Sequence, residues 1–148
     1  MVKDLNIEGD CMTVEEYLLA RKSKDWKFNQ IVDKDAFMNV NRIHPIKQNM
    51  VKEIVAVAKN DDSVKRIIIF GSSIRYDCDI TSDLDICVEW TKDCYDSDGI
   101  LKPFTKSLRK VISAVTKGKA DVVNYGYLVG TEVEDAVKEG VIVYEYNV

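Results

Sequence analysis

Gly71-Ser72-Ser73-Ile74-Arg75-Tyr76-Asp77-Cys78-Asp79-Ile80-Thr81-Ser82-Asp83-Leu84-Asp85-Ile86 is the stretch on which the reading of this chain turns. The run before it, Ile67-Ile68-Ile69-Phe70, is continuous, mostly β-branched and stopped by glycine, as expected of a central strand buried on both faces. A helix is expected to begin at once from Ser72. Leu84 to Trp90 then alternates with period two, so Leu84, Ile86, Val88 and Trp90 share one face while Asp83, Asp85, Cys87 and Glu89 share the other. That is a second strand, and it opens with a pair of acids.

Each part of the stretch has a chemical use. Gly71 lets backbone approach a phosphate closely, and N–H groups at a helix start, together with the Ser72 hydroxyl, make an anion site. Asp83 and Asp85 point to the same side of a strand, with Cα atoms roughly 6–7 Å apart. Two such carboxylates repel by about 2–3 kcal/mol at an effective dielectric near 20. A divalent cation turns that repulsion into attraction, and oxygen ligands of this kind suit Mg²⁺, which commonly bridges carboxylates to substrate phosphates. A two-metal site for in-line displacement at phosphorus needs a third acid from a neighbouring strand. Asp121, at the start of the apolar pair Val122-Val123, is the candidate.

The flanking sequence supplies a scaffold. Thr13-Val14-Glu15-Glu16 fits a capping box and opens a short helix carrying Tyr17, Leu18 and Leu19. His44-Pro45 reads as a helix entry, followed by a stripe of Ile46, Met50, Ile54, Val57 and Ala58 that ends at Asn60-Asp61-Asp62. Leu101, Phe104, Leu108, Val111, Ile112 and Val115 trace a long helix ending near Gly118, with Lys102, Lys106, Arg109 and Lys110 as a basic face able to guide an RNA or a protein partner. Ala120 to Tyr125 is a third strand, and a second capping box, Thr131-Glu132-Val133-Glu134, opens a short helix closed by Gly140. Val141 to Tyr146 is a last strand. Strands alternating with helices predict an α/β (α+β) chain around one small mixed sheet flanked by helices.

The chain's 148 residues suit one domain, with an N-terminal extension over 1–43, partly helical, preceding a domain over 44–148. A net charge of −4 excludes a general attraction to nucleic acid or anionic membrane. Cys11, Cys78, Cys87 and Cys94 have no C-x-x-C spacing and His44 is the sole histidine, which argues against a zinc site and for reduced thiols. The first residues, Met1 to Asn6, have no apolar signal-like core and no stretch is long enough to span a membrane, so a cytoplasmic location is expected.

The segment resembles the signature of the polymerase-beta-type nucleotidyltransferase superfamily: Gly-Ser, a short helix, then Asp-hydrophobic-Asp-hydrophobic. Gly71-Ser72 and Ser82-Asp83-Leu84-Asp85-Ile86 carry the match, at the interval seen in small prokaryotic minimal nucleotidyltransferases, and Arg75 matches a basic residue frequent there. The ending Glu139 to Tyr144 is similar as well, whereas Ser73 and Tyr76 stand where many minimal members have arginine and glycine. The resemblance covers about residues 44–146. It implies metal binding and catalysis by Asp83, Asp85 and Asp121, nucleotide binding by Gly71, Ser72 and Arg75, and two Mg²⁺ ions. It further implies transfer of a nucleoside monophosphate, AMP from ATP or another NTP, to an acceptor hydroxyl on a protein or small molecule.

Short relatives include antitoxins that adenylylate a HEPN-type ribonuclease toxin, which implies a HEPN-type partner. The chain has no room for the acceptor-gripping domain of larger relatives, so the acceptor site comes from a partner, a homodimer or residues 1–43. The alternative is a non-catalytic nucleotide-binding regulatory or antitoxin module acting by complex formation. A drug-modifying transferase acting on a cationic substrate is a third reading.

Overall fold

Strand β1, Val64–Phe70, occupies the middle of the molecule because its side chains are apolar on both sides. Ile67 and Ile69 enter one hydrophobic cluster and Ile68 and Phe70 a second on the opposite face. The computed structural model describes residues 13–23 and 26–146. Within them, β1 is flanked by β2, Leu84–Trp90, and by β4, Val141–Glu145, while β3, Ala120–Asn124, lies outside β2 at the edge. β1 runs antiparallel to both β2 and β4, and β2 runs parallel to β3, giving a mixed four-stranded sheet in the order β3-β2-β1-β4.

The period-two reading of β2 is visible in burial. Leu84, Ile86, Val88 and Trp90 enter the larger cluster, and Cys87 the smaller. Helices α2, Pro45–Ala58, and α3, Lys106–Thr116, cover the larger cluster through Val51, Ile54, Val55, Leu108 and Ile112. The opposite face receives only Leu128 and Val137, the latter from the short α4, Glu134–Lys138. Helix α1, Val14–Ser23, completes the set. Tyr17, Trp26, Phe28, Phe37, Val40 and Ile43 all enter the same larger cluster as the sheet.

Several local expectations need correction. The capping box at α1 is present in both directions, Thr13 N–H to Glu16 Oε1 at 2.9 Å and Glu16 N–H to Thr13 Oγ1 at 3.1 Å. Of the three apolar residues it introduces, however, only Tyr17 is buried, and Leu18 and Leu19 face solvent. The buried stripe of α2 is Lys47, Gln48, Val51, Ile54, Val55 and Ala58, while Ile46 and Val57 are exposed. A buried polar pair shifts the stripe because both residues are satisfied: Gln48 Nε2 donates to the carbonyls of Asn29 and Ile43, and its Oε1 accepts from Ile31 N–H.

Helix α3 starts later than expected. Leu101 pairs with Tyr95 in an isolated bridge and Pro103–Thr105 form a 3-10 turn. The Phe104 side chain lies outside the described residues. The second capping box does not form: Thr131 Oγ1 donates to Leu128 O, and Glu134 Oε1 accepts from Gly130 N–H. Cys78, Cys87 and Cys94 are free and buried, and Cys11 is outside the described residues. Burial pushes the Cys87 thiol up to about 12, as suits a small core hydrophobe. Among the described residues no helix is long and apolar enough to cross a membrane.

His44 caps α2, its Nδ1 accepting from Ile46 N–H at 3.2 Å, with Pro45 behind it at the first helical position. Only the neutral ring can accept there. Burial, with the Lys47 charge adding to it, pushes the imidazole down to about 4, against an opposing pull from Asp77. The unfolded chain therefore binds this proton more readily than the folded one. The contribution is complete above about pH 6.5 and falls on acidification, by roughly 2–3 kcal/mol between pH 6.5 and 4.5. Urea unfolding at both pH values should show the wild type losing that much more stability than His44→Asn, which keeps a capping acceptor but cannot protonate. Equal losses would remove His44 as the cause.

Candidate active site

The site is built on a row across the sheet. Phe70, the last residue of β1, is in register with Asp85 of β2, and Asp85 is in register with Asp121 of β3. Neighbouring strands lie about 4.8 Å apart and registered residues point to the same face, so Asp85 and Asp121 stand side by side. Asp83 precedes β2 and is exposed, as is Asp121, whereas Asp85 is half-buried. Leu84 N–H donates to Lys119 O at 2.9 Å, which ties the start of β2 to the approach to β3. Burial holds the Asp85 carboxyl above the ordinary carboxylate range, and the charges of Asp121 and then Asp83 add to the effect. Arg75 and the Ser72 backbone N–H, which donates to Asp85, pull the other way.

Gly71 makes that position available. Its φ is +71°, and a Cβ built on it would lie 2.1 Å from Asp85 Oδ2 and 3.0 Å from Asp85 Cγ. The carboxylate thus fills the space a side chain would take. Gly71–Ile74 form one 3-10 turn, not the helix expected from Ser72, because Arg75 is extended at φ −116°, ψ 154°. The carbonyls a helix would use are already taken. Ser73 O accepts from His44 N–H at 2.8 Å, and Ile74 O accepts from Tyr17 Oη at 2.6 Å and Arg21 Nη1 at 3.2 Å. The anion site read from sequence assumed free N–H groups at a helix start, whereas here the Ser72 N–H is directed at Asp85.

The remainder of the loop is held similarly. Asp79 Oδ1 accepts from Thr81 N–H at 2.8 Å and from Thr81 Oγ1 at 2.6 Å, and Ser82 N–H donates to Asp79 O at 3.1 Å. From below, the ammonium of the buried Lys47 donates to Ser82 O, the carbonyl immediately before Asp83. Tyr17, Arg21 and Lys47 are positioning residues that sequence reasoning missed. Lys47 has only its α2 spacing as a signal, and nothing local marks Tyr17 or Arg21 as reaching residue 74. Arg75 is exposed and paired with Asp77 at 3.2 Å. Glu89, which continues the acidic face of β2, is instead tied to Arg66 at 2.8 Å. Among the described residues, no group of three or more His, Cys, Asp or Glu is gathered closely enough to hold a metal ion.

Gly71→Ala and Gly118→Ala separate backbone strain from the carboxylate contact. Both glycines have positive φ, +71° and +79°, but a Cβ at Gly118 meets nothing within 4 Å. Each change should cost about 1–2 kcal/mol from the left-handed backbone. Gly71→Ala should cost about 1–3 kcal/mol more, because Asp85 must move from its place. Equal denaturation midpoints for the two variants would show that the carboxylate yields freely.

Comparison with known proteins agrees with the motif. The model of the family described as "Polymerase beta, Nucleotidyltransferase" matches residues 52–148, about two thirds of the chain. No curated protein sequence matches it. Among solved structures, a chain from a complex of tri-AMPylated Shewanella oneidensis HEPN toxin with MNT antitoxin is similar, at 20% identity and a TM-score of 0.44, with 68% of this chain and 73% of that chain covered. The assignment rests on the family match, the mixed sheet and the Gly-Ser and Asp-x-Asp positions: the chain belongs to the polymerase beta nucleotidyltransferase family.

Proposed function

We propose that this chain transfers a nucleoside monophosphate, AMP from ATP, to an acceptor hydroxyl and releases pyrophosphate. The observation that carries the reading is the half-buried Asp85, set between Gly71 and Asp121 and held protonated more readily than an ordinary carboxyl by burial and two like charges. A divalent cation relieves that arrangement. The donor set is all carboxylate oxygen, which fits Mg²⁺, an ion that needs only one or two carboxylates because substrate phosphates and water complete its shell. Asp83, Asp85 and Asp121 would hold it, and when bound it neutralises charge on the triphosphate.

In this reading the backbone of Gly71 and Ser72 and the side chain of Arg75 bind the phosphates. The half-buried Asp85 keeps water from one side of the reacting centre. The acceptor oxygen bonds to the α-phosphorus as the bond to the bridging oxygen breaks, pyrophosphate leaves, and the hydroxyl proton passes to Asp121. The acceptor is a partner protein of HEPN-toxin type, an identification drawn from the resemblance to short nucleotidyltransferases. The second reading, a nucleotide-binding regulatory module without turnover, is favoured by one observation: the Ser72 N–H is committed to Asp85.

Incubation of the protein with Mg²⁺, α-labelled ATP and cell lysate separates the two. Labelling of a discrete acceptor with pyrophosphate release, reduced by about 10²–10³-fold or more in Asp83→Ala/Asp85→Ala, is the expected outcome. Binding of Mg·ATP without labelling would instead support the regulatory module. Absence of binding would remove the nucleotide site itself.

A further inference from the structure

The β3 edge carries a cleft that the transfer site does not use. A cavity of about 230 Å³ is walled by Trp90, Leu101, Val122, Val123 and Tyr127, with Arg109 and Asn124 as its polar members. Val122 and Val123 are consecutive on β3 and point to opposite faces of the sheet. Val122 packs on the larger cluster and Val123 on the smaller, so a cleft touching both lies at the open edge of the strand. No other strand pairs with that edge among the described residues.

Both polar members present donors without acceptors. Asn124 Oδ1 accepts from Gly126 N–H at 3.0 Å and from Tyr95 Oη at 2.9 Å. A backbone N–H can only donate, so the amide orientation is settled and Nδ2 points away from those partners. Asn124 Nδ2 is buried and unpaired. Arg109 Nη2 donates to Thr105 Oγ1 at 3.1 Å, which fixes the guanidinium, and its buried Nε is unpaired as well. Buried donors left without acceptors are costly, so the cleft is incomplete as it stands.

The surroundings specify the missing group. Lys102, Lys106, Arg109, Lys110, Lys117 and Lys119 fall between Leu101 and Ala120 with no Asp or Glu among them. Lys106, Arg109 and Lys110 sit at the N-terminal end of α3, where the helix dipole disfavours cations. Folding alone does not account for that arrangement, which attracts anions. One guanidinium, one neutral amide and apolar walls suit a carboxylate on an apolar stem better than a doubly charged phosphate.

We propose that this cleft binds an acidic side chain of a partner protein segment lying along the free edge of β3. Main-chain pairing to the edge strand supplies affinity, and the Arg109–Asn124 cleft reads the carboxylate. Asp121 lies three residues from Asn124 on the same strand, about 10 Å away, so a segment seated there runs past the acids of the site. That last link, by which the segment carries the acceptor hydroxyl, rests on the transfer reading, whereas the cleft does not.

The test is a nuclear magnetic resonance titration of the full chain, observing Arg109 Nε–H and the Asn124 side-chain amide. The probe is a blocked valyl-glutamyl-valine peptide, compared with its glutamine counterpart, with butyrate and with inorganic phosphate at equal ionic strength. Saturable shifts are expected with the glutamate peptide, at an affinity at least about tenfold above that for the glutamine peptide or butyrate. Asn124→Asp, which retains the acceptor for Gly126 N–H but replaces the donor with a charge, should abolish the shifts, as should Arg109→Met.

Equal affinity for the two peptides would overturn the carboxylate assignment. Butyrate binding as tightly as the glutamate peptide would make the cleft a small-acid site, and a preference for phosphate or no saturable shift would also defeat the proposal. The titration contains no nucleotide, so its outcome is the same whether or not the chain turns over ATP.

Discussion

The contact between Gly71 and the Asp85 carboxylate constrains everything near the site. β1 must end where β2 begins its acidic row, and the chain must leave β1 through a left-handed residue with no side chain, or Asp85 has nowhere to stand. The polarity of the surrounding loop follows from this. One N–H of the turn is drawn to Asp85, and the carbonyls of Ser73 and Ile74 face the opposite way, where donors from the N-terminal part of the chain meet them. A half-buried carboxylate is thereby supported without a counter-ion in direct contact. Its like-charged neighbours keep it ready for a cation.

The sheet and helices divide the work unequally. One face of the sheet is sealed by α2, α3 and aromatic residues from the N-terminal segment, and it supplies most of the apolar burial. The other face has a smaller cover from Leu128 and Val137 and carries the acids at its uncovered end. Cys87 and Glu89 share a strand face with Asp85, but one is buried as a core thiol and the other is tied to Arg66. The acidic character of that face is therefore confined to the end where Asp83, Asp85 and Asp121 meet. Most of the strand is structural.

What could be read from sequence was what local physics determines. The Thr13–Glu16 capping box is reciprocal and spans three residues, β1 is a pure apolar run, and the alternation in β2 has no competing period. These place the family motif correctly on strands. The stripe of α2 was displaced because Lys47 and Gln48 look like surface residues until their distant acceptors are known. The helix expected after Gly71 fails because donors at residues 17, 21 and 44 claim its carbonyls. At Thr131 the capping pattern is met in sequence, yet the hydroxyl finds a nearer acceptor in Leu128 O. Each miss comes from a partner remote in sequence or from a local competitor that a pattern does not rank.

The anchors of the loop have a consequence for how the site comes into being. Tyr17 reaches Ile74 across 57 positions of chain, and Lys47 reaches Ser82 across 35. Closing such separations costs entropy that is recovered only when the core has formed, so the loop reaches its shape late in folding while β1 and β2 pair early. The family match begins at residue 52, after every one of these anchors. A fragment trimmed to that boundary would retain Gly71, Asp83, Asp85 and Asp121 in sequence and lose the donors that shape the loop between them.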